Sequence, residues 1–220
     1  TSTGLILAGD RKKADGSLSA SYMVSEITQA SLSLDVMDEE IDDPTTDEDN
    51  ASIQAGISLS RNLSETFANT VGLLNFRYMH YTSEDVGTIT TRDYTSDVYQ
   101  LYGGFSRNIT ELTSVYLQVG ASYTDTSEEA RVSGVTRSDT EDDSWGGVLV
   151  SGISYDGLYH DISLSASHDV RGGTGTNGAT ERSSVAFNID SKLSDSFFLT
   201  FDSSVYLNRN ERTTSSDLDE

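Results

Sequence analysis

The sequence predicts an all-β protein, an antiparallel up-and-down transmembrane β-barrel, and three observations carry that expectation. Apolar and polar residues alternate with a period of two in segment after segment, the connections between segments sort by length, and aromatic residues gather near segment ends. A period of two places alternate side chains on opposite faces of a strand. No window shows comparable helical spacing.

The alternation begins with Leu18, Ala20, Tyr22 and Val24 against Ser17, Ser19, Ser21 and Met23. It resumes with Ala30, Leu32, Leu34 and Val36, whose opposite phase holds Ser31, Ser33 and Asp35. Ile53, Ala55, Ile57 and Leu59 oppose Ser52, Gln54, Gly56 and Ser58. Val115 to Tyr123, Ile162 to His168 and Leu199 to Leu207 repeat the pattern. Short connections recur near Glu26-Ile27, Asn62-Leu63-Ser64-Glu65, Asn108-Ile109-Thr110-Glu111, Asp156-Gly157-Leu158 and Leu193-Ser194-Asp195. Long polar ones are expected as loops over 38–50, 82–96, 124–144, 169–183 and from 208 onward. The unit of strand, tight turn, strand and long loop repeats five times, which gives about ten strands. A stub over 4–9 leads into the first strand through 10–15.

A soluble sandwich does not sort its connections by length. A membrane barrel does, with strands of ~9–11 residues, short periplasmic turns and longer outside loops. Its closure also removes the unpaired edges that long strands expose. Tyr78, Tyr81, Tyr94, Tyr123 and Trp145 fall near the long connections, and Phe67, Phe105, Tyr155, Tyr159 and Phe197 near the short ones. Two aromatic belts of this kind are expected at the membrane interfaces.

Composition narrows the function classes. Asp and Glu number 36 against 14 Lys and Arg, giving a net charge of −22, which argues against nucleic acid as a partner. The absence of Cys removes disulfides, thiolate metal sites and thiol catalysis. No apolar run approaches the ~20 residues of a membrane-spanning helix.

The segments Ile162 to Asp169, Ser184 to Asp195 and Phe198 to Tyr206, with their Leu-Ser/Thr-Glu/Asp turns, resemble Gram-negative outer-membrane β-barrel proteins. The nearest likeness is to porin-like barrels encoded with exopolysaccharide export systems. The resemblance implies a bacterial outer-membrane location, lipid and lipopolysaccharide as surroundings, and a channel or export role for polysaccharide. It nominates no catalytic residue and no cofactor. Such barrels finish on a strand with a terminal aromatic, whereas this chain reaches Asp217-Leu218-Asp219-Glu220. A closing strand beyond Glu220, with twelve or more strands in all, is therefore expected, or several copies sharing one barrel.

Asp35, Asp161, Asp190 and Asp202 fall in the polar phase and Arg77 is their basic counterpart, so these are the candidate pore-lining residues of a cation-preferring passage. The alternative is a structural barrel that anchors or encloses a partner protein, or export machinery; a secreted soluble all-β protein is the third. Asp38, Glu39, Glu40, Asp42, Asp43, Asp47, Glu48 and Asp49 are weak candidates for a divalent-cation site. The plainer reading is a solvated, self-repelling loop, as it is for Glu128, Glu129, Glu141, Asp142 and Asp143. No enzymatic role is expected: Ser167, His168 and Asp169 are consecutive, so a strand points them to alternating faces. The glycine-rich run over 172–178 lacks the Lys-Ser/Thr ending of a phosphate loop. Sequons at Asn50, Asn62 and Asn108 are chance matches in a Ser/Thr-rich chain.

Overall fold

The computed structural model describes residues 10–43, 46–87, 90–132, 135–172, 179–194 and 196–210. Among these residues ten antiparallel strands form one sheet in which sequence neighbours are spatial neighbours throughout. They are β1 (Asp10–Ser25), β2 (Thr28–Asp43), β3 (Thr46–Asn62), β4 (Thr70–Gly87), β5 (Thr90–Asn108), β6 (Thr113–Val132), β7 (Val135–Asp156), β8 (His160–Gly172), β9 (Ala179–Ser194) and β10 (Phe197–Asn210). This is the up-and-down order expected of a barrel wall. Among the described residues no ladder joins β1 to β10. The stub over 4–9 lies outside the described residues.

The sheet is inside out relative to a water-soluble protein. On β5, Leu101 is 56% exposed whereas its neighbour Gln100 is 2% exposed. The apolar phase forms a continuous outer surface through in-register pairs such as Leu32 with Ile57, Ile57 with Phe76, and Phe76 with Leu101. The polar phase lies on the enclosed side, where Ser96, Gln100, Ser122, Thr124 and Asn50 are buried. Hydrocarbon solvates the exposed Leu, Ile, Val and Phe, and the lumen holds the hydroxyls and amides.

Aromatic residues mark one membrane boundary. Tyr78, Tyr99, Tyr123 and Trp145 stand opposite one another on four successive strands. Their ring centroids are 5.1, 6.3 and 5.2 Å apart. Phe67, Phe105, Tyr155, Tyr159 and Phe197 are exposed at or near the short turns, as expected of the second belt. Tyr81 and Tyr94 depart from expectation. They fall in the inward phase, and both are buried rather than facing the interface.

The long connections depart further from expectation. Most of 38–50, 82–96 and 124–144 is not loop but ladder: β2 and β3 stay in register to Asp43 opposite Thr46, and β6 and β7 to Val132 opposite Val135. β6 alone has 20 residues, about 66 Å at ~3.3 Å per residue, against an apolar band of ~25 Å. The hairpins therefore project well beyond the membrane. Apolar alternation stops at the boundary because both faces of the projecting sheet are polar, and so the period-two signal ends before the strand does. At the opposite end two to seven residues separate the strands, no fewer than the two between β2 and β3, β4 and β5, or β6 and β7. The expected sorting of connections by length therefore does not hold, and the ends differ in how far the strands project. Asn62 accepts from the Ser64 amide at 2.9 Å, and Asn69 adopts the left-handed conformation, φ 54°, that turns the chain into β4.

The two phases should respond differently to charge. Leu164, outward on β8, should lose roughly 2–4 kcal/mol of stability on replacement by Arg at the hydrocarbon midplane. Ser163→Arg, one residue away in the inward phase, should be far milder. Denaturant titration of both variants refolded into lipid measures the difference.

Candidate functional site

The enclosed polar face is the candidate site. Its floor, near the short turns, carries an acidic arc. Asp156 stands opposite Asp161, and Asp161 opposite Asp190, so three carboxylates occupy one row across β7, β8 and β9. Thr200 of β10 continues that row and donates to Asp190 Oδ1 at 2.7 Å. Asp202 sits one inward position higher, opposite Asn188. With its amide turned to satisfy both neighbours, Asn188 donates to Asp202 at 2.8 Å and accepts from Ser163 Oγ at 3.2 Å. Asp161, Asp190 and Asp202 are thus brought together. Asp156 joins them, although in the sequence it falls at a turn, where the strand phase gives no signal.

Asp35 lies elsewhere on the same face. It accepts from Gln54 Nε2 at 3.4 Å and borders a cavity of about 310 Å³ against β1–β4, lined also by Asp15, Met37 and Met79. Arg77, the basic counterpart, is engaged. Its Nη2 donates to the Tyr102 hydroxyl at 3.1 Å, its Nη1 to Gln100 Oε1 at 3.4 Å, and its guanidinium lies 5.7 Å from the Tyr102 ring centroid. Arg182 is similarly stacked, 4.6 Å from the Tyr206 ring centroid.

Nearer the outside the lumen fills with its own side chains. Tyr81 donates to Asn50 Oδ1 at 2.6 Å, and Tyr94 to Glu128 Oε1 at 2.9 Å. Burial first, and then that bond to Glu128, push the Tyr94 phenol above its ordinary pKa, which keeps it a donor. Buried Glu39 pairs with Arg11. The ladder between β7 and β8 ends at Leu149 opposite His168, while β8 and β9 remain paired to Gly172 opposite Ala179. Beyond His168 the β8–β9 hairpin runs to the inner wall, where the Val170 carbonyl accepts from Gln100 Nε2 at 2.9 Å.

The weak metal candidates are dispersed. The pleat sends Asp38 and Glu40 to the face opposite Glu39, Glu40 pairs with Lys12 at 3.0 Å, and Asp49 is exposed. The side chains of Asp42, Asp43, Asp47 and Glu48 lie outside the described residues. Among the described residues no three His, Asp or Glu converge to hold a metal ion. Ser167 and His168 also part company. Ser167 Oγ bonds Ser184 Oγ at 2.8 Å on one face, and His168 Nδ1 bonds Ser183 Oγ at 2.8 Å on the other.

The in-register carboxylates of the arc repel one another. Asp161→Asn should therefore stabilise the barrel by roughly 0.2–1 kcal/mol at low ionic strength. The gain should shrink as salt screens the row, which paired denaturant titrations at two salt concentrations measure.

No protein-family model and no curated protein sequence matches the chain. Solved structures do. The chain is similar to the translocator domain of autotransporter NalP from Neisseria meningitidis, with TM-score 0.58, 12% identity, and coverage of 91% of this chain and 78% of that one. It is similar to the ferric-catecholate import receptor Fiu from E. coli K12 in its closed form, with TM-score 0.58, 8% identity, and coverage of 91% and 41%. It is also similar to the ferric yersiniabactin uptake receptor FyuA from Yersinia pestis, with TM-score 0.50, 9% identity, and coverage of 89% and 35%. At these identities the likeness is one of fold, and the fold is that of an outer-membrane β-barrel.

Proposed function

We propose that this chain forms the wall of a polar, cation-preferring passage across the bacterial outer membrane. The observation that carries the reading is the charge imbalance of the enclosed face. Asp156, Asp161, Asp190 and Asp202 line its floor, where Lys192 is a cation in the phase of Asp190. Arg77 and Arg182 are each held against a tyrosine ring. A cleft lined by one sign of charge concentrates counter-ions, and low-dielectric walls focus the field. The rest of the lining is hydroxyl and amide: Ser33, Gln54, Asn75, Gln118 and Ser163 among others. Groups of this kind exchange hydrogen bonds with hydrated cargo, and with sugar hydroxyls in particular, which supports polysaccharide as the cargo class. A second reading, a barrel that encloses or anchors a partner, is favoured by the packed outer half of the lumen around Tyr81, Tyr94 and Val98.

Reversal potentials in planar bilayers under a KCl gradient test the first reading. Cation preference is expected, strongest at low salt, and Asp190→Asn combined with Asp35→Asn should weaken it. Anion preference would overturn the assignment. A folded, complete barrel that passes no current favours the second reading.

Sidedness follows from the same arrangement, because short turns of these barrels face the periplasm. In this Cys-free chain, a Cys at Ser138 on the projecting β7 should react with an impermeant maleimide on intact cells. A Cys at Ser64 should stay protected until the outer membrane is opened.

A further inference from the structure

We propose that the base of the β8–β9 hairpin is the constriction of this passage, seated by Gln100 and Gly146, and that these two residues set the size of what passes. The inference rests on the passage reading above. β7 and β8 separate above Leu149 and His168, although β7 continues, paired with β6, to Val135. β8 and β9 stay together beyond that point, so they leave the wall as a unit. They turn inward. Val170 would face outward if β8 held its alternation in the wall, yet it is buried.

Two features hold the hairpin there. Gln100 projects from the inner face of β5, and its Nε2 donates to the Val170 carbonyl at 2.9 Å, a contact between residues 70 apart in sequence. Arg77 fixes the amide's orientation by donating to Gln100 Oε1 at 3.4 Å, so Arg77 acts as a positioning residue for the seat. The second feature is the absence of a side chain at Gly146. A Cβ there would lie 2.7 Å from Ser122 Oγ and 3.4 Å from both Glu181 Oε1 and Val170 Cγ2. Glycine gives the hairpin room to lie against β6 and β7. A Cβ alone would crowd Ser122 Oγ and meet the hairpin at van der Waals distance. A side chain as large as Leu would take the space in which Val170 and Glu181 lie.

Gln100→Leu removes the donor at similar size, and Gly146→Leu fills the seat. Each is combined with Val170→Cys as a reporter in the Cys-free chain, and folding is checked by heat-modifiable mobility on gels. Losing one such buried hydrogen bond shifts a local equilibrium by up to about tenfold. Maleimide labelling of the reporter thiol in the Gln100→Leu protein should therefore quicken by up to that factor. In the same Gln100→Leu protein single-channel conductance should rise, and larger poly(ethylene glycol) should enter the pore. Unchanged labelling in both variants would overturn the seat. Faster labelling with unchanged conductance and an unchanged polymer cut-off in a conducting barrel would overturn the constriction while sparing the passage. Faster labelling with no current from any folded form, native included, would overturn the passage and the constriction with it.

Discussion

The whole arrangement depends on one constraint: inside hydrocarbon every backbone N–H and C=O must find a partner within the protein. An up-and-down sheet meets it with the shortest connections, because each strand pairs with the strands before and after it. Among the described residues nine ladders in sequence order are the result. Once the backbone is satisfied by neighbours, the side chains are free to invert the usual polarity. Exposed Leu, Ile and Phe then cost nothing in lipid, and the burial of Gln100, Ser96 and Asn50 is supported by hydrogen bonds on the enclosed side. The same constraint bears on the two outermost strands. β1 and β10 each have a ladder on one side only among the described residues, yet both carry outward apolar residues, Leu18 and Tyr22 on one and Leu199 and Phe201 on the other. Strands that face hydrocarbon need their remaining edge paired, whether with each other or with further strands.

Much of this architecture is legible in the chain. The five-fold repeat of short and long connections supplies the count of ten strands. Period-two alternation marks six of them and the faces of their residues, because the membrane imposes that period on the sequence directly. Asp35, Asp161, Asp190 and Asp202 fall on the polar phase for the same reason. What is not legible lies where the membrane stops imposing anything. The stretches 38–50 and 124–144 read as loops because Asp, Glu, Ser and Thr occupy both faces of a projecting hairpin, and nothing in composition distinguishes a solvated ladder from a solvated loop. Tyr81 and Tyr94 suggest an interface position by height alone. Their phase, matching Met79 and Ser96 rather than Tyr78 and Tyr99, is the signal that turns them inward. Gln100 does not stand out in sequence from other inward polar residues, since its partner is a backbone carbonyl 70 residues away. Gly146 gives only a faint hint, as half of a Gly-Gly pair inside a strand.

Charge on the inner face is organised by whether a residue has a neighbour able to tie it down. Arg77 and Arg182 both lie beside tyrosines, where a planar guanidinium can stack on a ring and still donate. A carboxylate has no such mode. Asp190 and Asp202 accept from Thr200 and Asn188, which orient them without neutralising them. Stacking fixes where the two guanidiniums sit without discharging them, so the asymmetry of the inner face rests on the carboxylates gathered in one arc.

The inward course of the β8–β9 hairpin follows from the limit of the backbone constraint. β8 has a short apolar phase, Ile162, Leu164 and Ala166, and its ladder with β7 ends at the next outward residue, His168. Up to that point separation from β7 would strand backbone groups in lipid. Above it, water and the polar lumen can satisfy them, so the hairpin is free to exchange wall pairing for other contacts. Val170 decides the direction. Held in the wall it would place an apolar side chain outside near the membrane boundary, whereas turned inward it is buried beside Gly146, and its carbonyl gains the Gln100 amide. The membrane that forces the wall to be continuous also determines where the wall may open, and the lumen-facing polar residues determine where the freed hairpin goes.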